Sequence, residues 1–445
     1  MTNNAQLSGY DVATDAAGRS YVGWIGNTGG GREVHLCTLQ PGATSCLGGI
    51  QTLSPGDAFV SSSTAGLRVL VTPGGKVTLV WFHDTVASEN GPQGSEIAIA
   101  TSQSGGPLSS PKDVATAPSF GSMLDAAFGP GGSIWVVTEP SSGDSVQVRP
   151  GLTSGPVKVG TPYGVEAARL RFSGSTAVLA IKKDGTITVP VSYASERGGS
   201  WSGFRQIAHT WTSDAEFGMA STPSGIRLIA TVDDASYYPV VSRWTGAGFS
   251  RPALTGDRNN CSPSSHDTVS DASGRLADVS IECSDVAVAN LTDTAHAAVV
   301  RFNVHGTFAG GPPQLTTTPR GRAWVIWSIE SASGDKLLAA PMLLPGRIVT
   351  ATSSAGGNRV TLHGPASCLP PVTVTIGVKG SPARHWRVVS HALKLGRTTL
   401  RSTTLHGASL VAGQSYTLTG SVIFANGGAR RTVTAQLKFR SCPNP

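Results

Sequence analysis

No run of apolar residues in this sequence approaches the roughly 20 needed to cross a bilayer as a helix. The stretch MTNNAQLSGYDV likewise lacks the charged and apolar regions of a signal peptide. Helical signal is scarce: with 55 Gly and 28 Pro in 445 residues, Gly or Pro breaks almost every window of helical length. Charged residues make up only 14% of the chain. There are six cysteines, none in the close C-x-x-C spacing of a zinc site. Asp233-Asp234 could help hold a calcium ion but lacks the spacing of a calcium loop. No metal and no cofactor are therefore expected.

What remains is strand. Apolar residues fall in short runs with small or polar partners, as in GRSYVGWI, KVTLVWF, SIWVVTE and RAWVIWSI. This pattern predicts a nearly all-β protein, long enough to bury a large core. The cysteines fall into local pairs. Cys37 and Cys46 flank TLQPGATS, whose Pro-Gly makes a turn, and Cys261 and Cys283 flank a second hairpin folded about Ala272-Ser273. Cys368 and Cys442 are left near the two ends of the C-terminal segment. An even count that pairs locally predicts three disulfides, hence an exported protein whose leader has been removed.

A unit of apolar strand, turn with Gly, and second apolar strand occurs seven times, with glycines at Gly18, Gly75, Gly132, Gly174, Gly225, Gly274 and Gly321. Their spacing varies from 42 to 57 residues, about what a four-stranded propeller blade needs. A tight hairpin favours a residue that accepts positive φ, and glycine does so without a steric cost. A third strand often follows, such as EIAIATS or TITVPVSYAS. Then come a double-glycine stretch and a short fourth strand, as in SQSGGPLSSP before KDVAT and SERGGSWSGF before FRQIA. The expected fold is all-β: a seven-bladed, alternatively six-bladed, β-propeller over residues 1–345, its last blade completed from the N-terminus.

This order of strands and turns resembles the blades of sialidase-like propellers, whose third turn carries the Asp-box Ser-x-Asp-x-Gly-x-Thr-Trp. Here Ser104 and Arg197 stand where the box has its aspartate, while Gly106, Gly199 and Trp201 match its glycine and tryptophan. In that family the box is structural. The family's catalytic set would include an arginine triad, one arginine from a Phe/Tyr-Arg-Ile-Pro signature in the first blade. The first blade here reads SGYDVATD, and neither Arg149 nor Arg251 is suitably placed, so sialidase activity is not expected. The resemblance implies a channel-mouth face that collects Asp84, Glu166, Asp214, Glu216, Asp233, Tyr237, Tyr238 and His266 as candidate ligand-binding residues. Paired carboxylates with Tyr or His suit acid and base work on a glycan; ordinary polar loop residues are the alternative.

Trp24, Trp81, Trp135 and Trp327 lie on predicted second strands, where packing between blades is expected rather than sugar stacking. Trp201, Trp211 and Trp244 lie nearer turns, where either role is open. The sequons at Asn260 and Asn290 matter only in a glycosylating host.

Absence is sharpest at the C-terminus. From Gly346 to Pro445 there are twelve Lys and Arg and no Asp or Glu, against 22 basic and 27 acidic residues before it. The two parts carry about +12 and −5. Alternation in PVTVTIGVKG, RHWRVVSHAL, QSYTLTGSVIF and RRTVTAQLKF suits an immunoglobulin-like β-sandwich over residues 346–445. A propeller with a basic sandwich behind it is similar to uncharacterised exported proteins of actinobacteria. Arg384, Arg387, Lys394, Arg397, Arg401, Arg430 and Arg431 are the candidates for binding an anionic envelope polymer, with docking onto the acidic propeller as the alternative. No nucleic-acid partner, no membrane span and a monomer are expected. Two functions follow: a secreted or cell-surface binding protein whose propeller loops take a glycan or protein, or a glycan-cleaving hydrolase or lyase with carboxylates at the channel mouth.

Overall fold

The computed structural model describes residues 6–28, 31–41, 43, 45–53, 66–86, 93–103, 105–117, 122–140, 145–160, 164–183, 189–212, 217–233, 237–254, 263–271, 274–282, 285–291, 299–304, 306–309, 311–318, 322–331, 334–344, 348–365, 368–369, 373–411 and 414–441. Apart from two single 3₁₀ turns, Pro130–Gly132 and Gly407–Ser409, their regular structure is strand. The chain forms two compact units. The first comprises Met1–Leu254, Arg258–Val286 and Phe302–Met342; the second comprises Thr255–Asp257, Ala287–Arg301 and Leu343–Pro445.

Seven small antiparallel sheets follow one another along the described chain before residue 345. Their first strands are Gln6–Thr14, Leu67–Val71, Ser122–Phe128, Val165–Ser173, Gly218–Thr222, Pro263–Ser270 and Gln314–Thr317. Each packs beside the first strand of the next sheet, and the seventh returns to the first. This is the radial arrangement of a β-propeller. Apolar faces of neighbouring sheets make the cores: Tyr21, Ile25, Val34 and Leu36 of the first sheet meet Leu67, Val69, Leu79 and Trp81 of the second. Trp24, Trp81 and Trp327 are buried on their second strands, as is Trp324, while Trp135 is half-buried with its ring edge-on to Phe172.

The turns explain the repeat. Six of the seven glycines have positive φ, from +61° at Gly174 to +107° at Gly225, and Gly321 lies outside the described residues. In two sheets an aspartate caps the same hairpin: Asp15 accepts from the N–H groups of Ala17 and Arg19, and Asp271 from that of Arg275. Thr72 and Thr318 hold the N–H groups of Lys76 and Arg322 in the equivalent turns.

A second device recurs between third and fourth strands. Ser202 donates its N–H to Ser195 O at 2.9 Å, and its Oγ accepts from Ser195 N at 3.0 Å. Ser109 makes the same pair with Thr101, and Ser250 with Arg243. Gly198 and Gly199, at φ +61° and +88°, turn the chain between Arg197 and Ser200. The double-glycine stretch is thus a hairpin closed by serine, with Trp201 packed against the core between the third and fourth sheets.

The residues before Gln6, from which the last blade was expected to be completed, lie outside the described residues. The N-terminal strand Gln6–Thr14 pairs with Ser20–Thr28 in its own sheet, and the seventh sheet has three described strands, all from its own segment. Among the described residues the seam is made by Leu7 N–H to Asp335 Oδ2 (2.9 Å), Tyr10 OH to Gly311 O (3.1 Å) and Thr316 Oγ1 to Thr14 Oγ1 (2.9 Å). Leu7, Tyr10 and Trp24 share a buried cluster with Trp324, Ile326 and Leu337.

In the second unit a three-stranded sheet (Ile348–Ala355, Asn358–Pro365, Gly377–Ser381) accompanies a five-stranded one that includes Arg387–Leu395, Ser415–Asn426 and Ala429–Ser441. Val360, Leu362, Leu418, Val422, Phe424, Val433 and Phe439 form their shared core. Cys37 and Cys46 are joined, with Cα atoms 5.2 Å apart. Cys261, Cys283 and Cys442 lie outside the described residues. Cys368 lies in a short strand whose backbone runs parallel to Arg440–Ser441, and its side chain is outside the described set.

Candidate functional site

The most elaborate polar arrangement of the first unit surrounds a cavity of about 300 Å³ where the first strands converge. Asp11, Arg68, Asp125, Arg169, Arg171 and Asp267 line it, with Gln314, Ser221, Phe128 and Phe172. Three of these aspartates serve the same local purpose, each holding a backbone N–H of the following first strand. Asp11 Oδ2 accepts from Val69 N at 2.6 Å, Asp125 Oδ2 from Leu170 N at 2.7 Å and Asp267 Oδ2 from Leu315 N at 2.8 Å. Adjacent first strands do not pair as a sheet, so a side chain supplies the bond that a backbone carbonyl would otherwise make.

Asp125 is buried at 2% exposure and meets Arg68 Nε and Arg171 Nη1, both at 2.9 Å. Burial works to raise its carboxyl, but Arg171, Arg68, Arg169 and the Leu170 N–H outweigh it and hold the group below the usual carboxylate range. Burial dominates at Asp11, whose carboxyl is pushed up to about 6 against the pull of Arg68 and the Val69 N–H. Asp267 is raised for the same leading reason. The cavity therefore holds one firmly ionised carboxylate and two whose charge is disfavoured.

Sequence reading missed this ring. Its signal was there: Asp11, Arg68, Asp125, Asp267 and Gln314 all stand seven residues before a turn glycine. Superposing the repeats on that glycine would have aligned them.

Of the residues expected at the channel mouth, Glu166 and His266 have described side chains. Glu166 is exposed and pairs with the buried Lys182 Nζ at 2.8 Å. His266 is 1% exposed, and its Nδ1 lies 2.6 Å from Asp278 Oδ2, which makes it a packed core group. Asp84 lies within the strand Lys76–Val86 opposite Ser95, and Asp233 faces Tyr237 while Val232 faces Tyr238 across a hairpin. The side chains of Asp84, Asp233, Tyr237 and Tyr238, and all of Asp214, Glu216 and Asp234, lie outside the described residues.

A second cluster crosses three strands of the second sheet. His83 Nε2 lies 2.8 Å from Asp113 Oδ1, and His83, Glu96 and Asp113 offer ligand atoms within 4.8 Å of one another. The Glu96 carboxyl is raised by its hydrogen bond to Asp113. These three residues could supply one nitrogen and two oxygen ligands.

After residue 348 all eleven Lys and Arg whose side chains are described are exposed: Arg359, Lys379, Arg384, Arg387, Lys394, Arg397, Arg401, Arg430, Arg431, Lys438 and Arg440. Cross-strand register sets Arg387, Ala425 and Arg430 in one row, and Lys394, Thr419 and Gln436 in another. Ser421 and Thr434 bond across the same face. Arg431 stacks over Trp386, with 5.3 Å to the ring centre.

No protein-family model matches the chain, and no curated protein sequence matches it. Among solved structures, it is similar to hydrazine synthase of Kuenenia stuttgartiensis, at 13% identity and TM-score 0.46, over 76% of this chain and 97% of that one. Puromycin hydrolase is similar at 13% identity and TM-score 0.48, over 81% of this chain and 59% of that one. The β-propeller domain of the Trilobed protease from Pyrococcus furiosus is similar at 11% identity and TM-score 0.43, over 76% and 97%. At such scores no activity carries over.

Proposed function

We propose that the chain is a seven-bladed β-propeller followed by an immunoglobulin-like sandwich, and that it is a secreted or cell-surface binding protein. On this reading the propeller presents a glycan or protein site, and the basic second unit attaches to an anionic polymer. The observation that carries it is the charge pattern: eleven exposed Lys and Arg stand among the described residues after 348, in a stretch with no carboxylate to neutralise them. Such a surface produces a field of one sign, attractive to polyanions. The seven successive sheets support the blade number, and the Cys37–Cys46 bond favours an oxidising compartment. Non-reducing peptide mapping that recovered the remaining four cysteines as free thiols would remove that last part.

Binding of the whole chain to immobilised heparin and polyphosphate tests the attachment. Retention should fall steeply with salt, because the screening length shrinks from about 10 Å at 0.1 M to about 3 Å at 1 M. Replacing Arg387, Lys394, Arg430 and Lys438 together by Gln should abolish it. Retention unchanged at high salt or in that variant would exclude charge as the determinant.

A further inference from the structure

The charges around the cavity are segregated along the ring. In ring order Asp267, Gln314 and Asp11 come from the sixth, seventh and first sheets, an arc with two carboxylates and no cation. Arg68, Asp125, and Arg169 with Arg171 come from the second, third and fourth sheets, an arc with three guanidinium groups and one carboxylate. The fifth sheet separates the arcs on one side with the uncharged Ser221. With all three aspartates ionised, above about pH 6 for Asp11, they balance the three arginines and leave the wall with two poles.

Some of these groups are fully engaged and others are not. Arg68 gives Nε to Asp125 and its two Nη atoms to the carbonyls of Leu67 and Leu124. Arg171 uses only Nη1, toward Asp125 and Leu170 O, so its Nε and Nη2 donate to none of the described residues. Asp267 accepts through Oδ2 alone, and Gln314 gives Nε2 to Pro312 O, which leaves Asp267 Oδ1 and Gln314 Oε1 as acceptors. Spare donors thus stand on the basic arc and spare acceptors on the acidic one. Phe128, Phe172 and Leu70 add apolar wall.

We propose that this cavity binds a small zwitterion of amino-acid or dipeptide size, its ammonium held by Asp267, Gln314 and Asp11 and its carboxylate by Arg171 beside Arg169. A ligand of one sign would gain at one pole and lose at the other, whereas an oriented dipole gains at both. The volume lies at the lower end of small-molecule pockets. An ammonium between Asp11 and Asp267 also relieves the repulsion between two carboxylates that burial already disfavours.

The test uses the whole chain and isothermal titration calorimetry with free L-amino acids and glycyl dipeptides, each beside its N-acetylated and C-amidated form. The free form should bind about tenfold or more tightly than either blocked form, the scale of one lost charged hydrogen bond. Arg171→Gln should erase the preference over the C-amidated form, and Asp267→Asn the preference over the N-acetylated form. Asn keeps an acceptor for Leu315 N–H, and circular dichroism checks that the variants fold. Affinity should also fall as pH drops through about 6, where Asp11 protonates among Arg68, Asp125, Asp267, Arg169 and Arg171. No binding by any free form at millimolar concentration, or equal binding of free and blocked forms, overturns the proposal.

Discussion

Asp11 shows how one residue can serve architecture at a cost in stability. Its Oδ2 ties the first two sheets through Val69 N–H, yet burial lifts its carboxyl from an ordinary 3.8 to about 6. The folded state therefore holds the proton more tightly than the unfolded chain does. Stability falls as pH rises from about 4 to about 6, and the full penalty persists above. Asp11→Asn keeps an acceptor for Val69 and removes the charge. It should stabilise the protein by about 1–3 kcal/mol at pH 8 and by progressively less toward pH 4, since each pKa unit is worth about 1.4 kcal/mol. Urea unfolding of both proteins across this range checks the sign. A gain that does not shrink on acidification would show that the ionised carboxylate is not the cause.

Serine replaces aspartate in the turns that join third and fourth strands, and the three serines repeat one bonding scheme. Ser202→Ala leaves the Ser195 N–H without its acceptor and should cost about 1 kcal/mol. Gly199→Ala should cost a similar amount for a different reason: its φ of +88° strains an L residue although open space surrounds the position. Thermal unfolding of the two single variants and the double measures both.

These elements were largely legible beforehand. Each hairpin carries its own glycine, and turn chemistry is local, so Gly18 and Gly274 announce themselves without any knowledge of the ring. The cavity was less legible: Asp11 and Asp267 stand at the same offset from their turn glycines, but they lie on strands that read as ordinary alternating segments and line one cavity only once the ring has formed. The pairing of His266 with Asp278 was hidden for a related reason: the two lie on neighbouring strands, and the register that brings them together is set by the fold.

At the scale of the molecule, charge is partitioned by segment: the first 345 residues carry about −5 and the remainder about +12. The first part draws its acidic and basic residues into specific pairs such as Arg19–Asp15, Arg275–Asp271 and Lys182–Glu166, while the last hundred residues have no carboxylate to pair with.

The seam of the ring carries a further consequence. Along the rest of the circle, each sheet directly follows its neighbour in the chain, so contacts between adjacent first strands span about 50 residues. Between the seventh sheet and the first, contacts such as Leu7 with Asp335 bridge 328 residues, and nothing shorter holds those partners together. The entropy of closing a loop grows only slowly with length but is largest here. A circle built this way resembles a bracelet with a clasp, and that one link is expected to open before the others. Under native conditions the amide of Leu7, which Asp335 holds across the seam, should exchange with solvent faster than those of Leu79 or Leu179 in the middle of their sheets, and Asp335→Ala should hasten it while leaving those two unchanged.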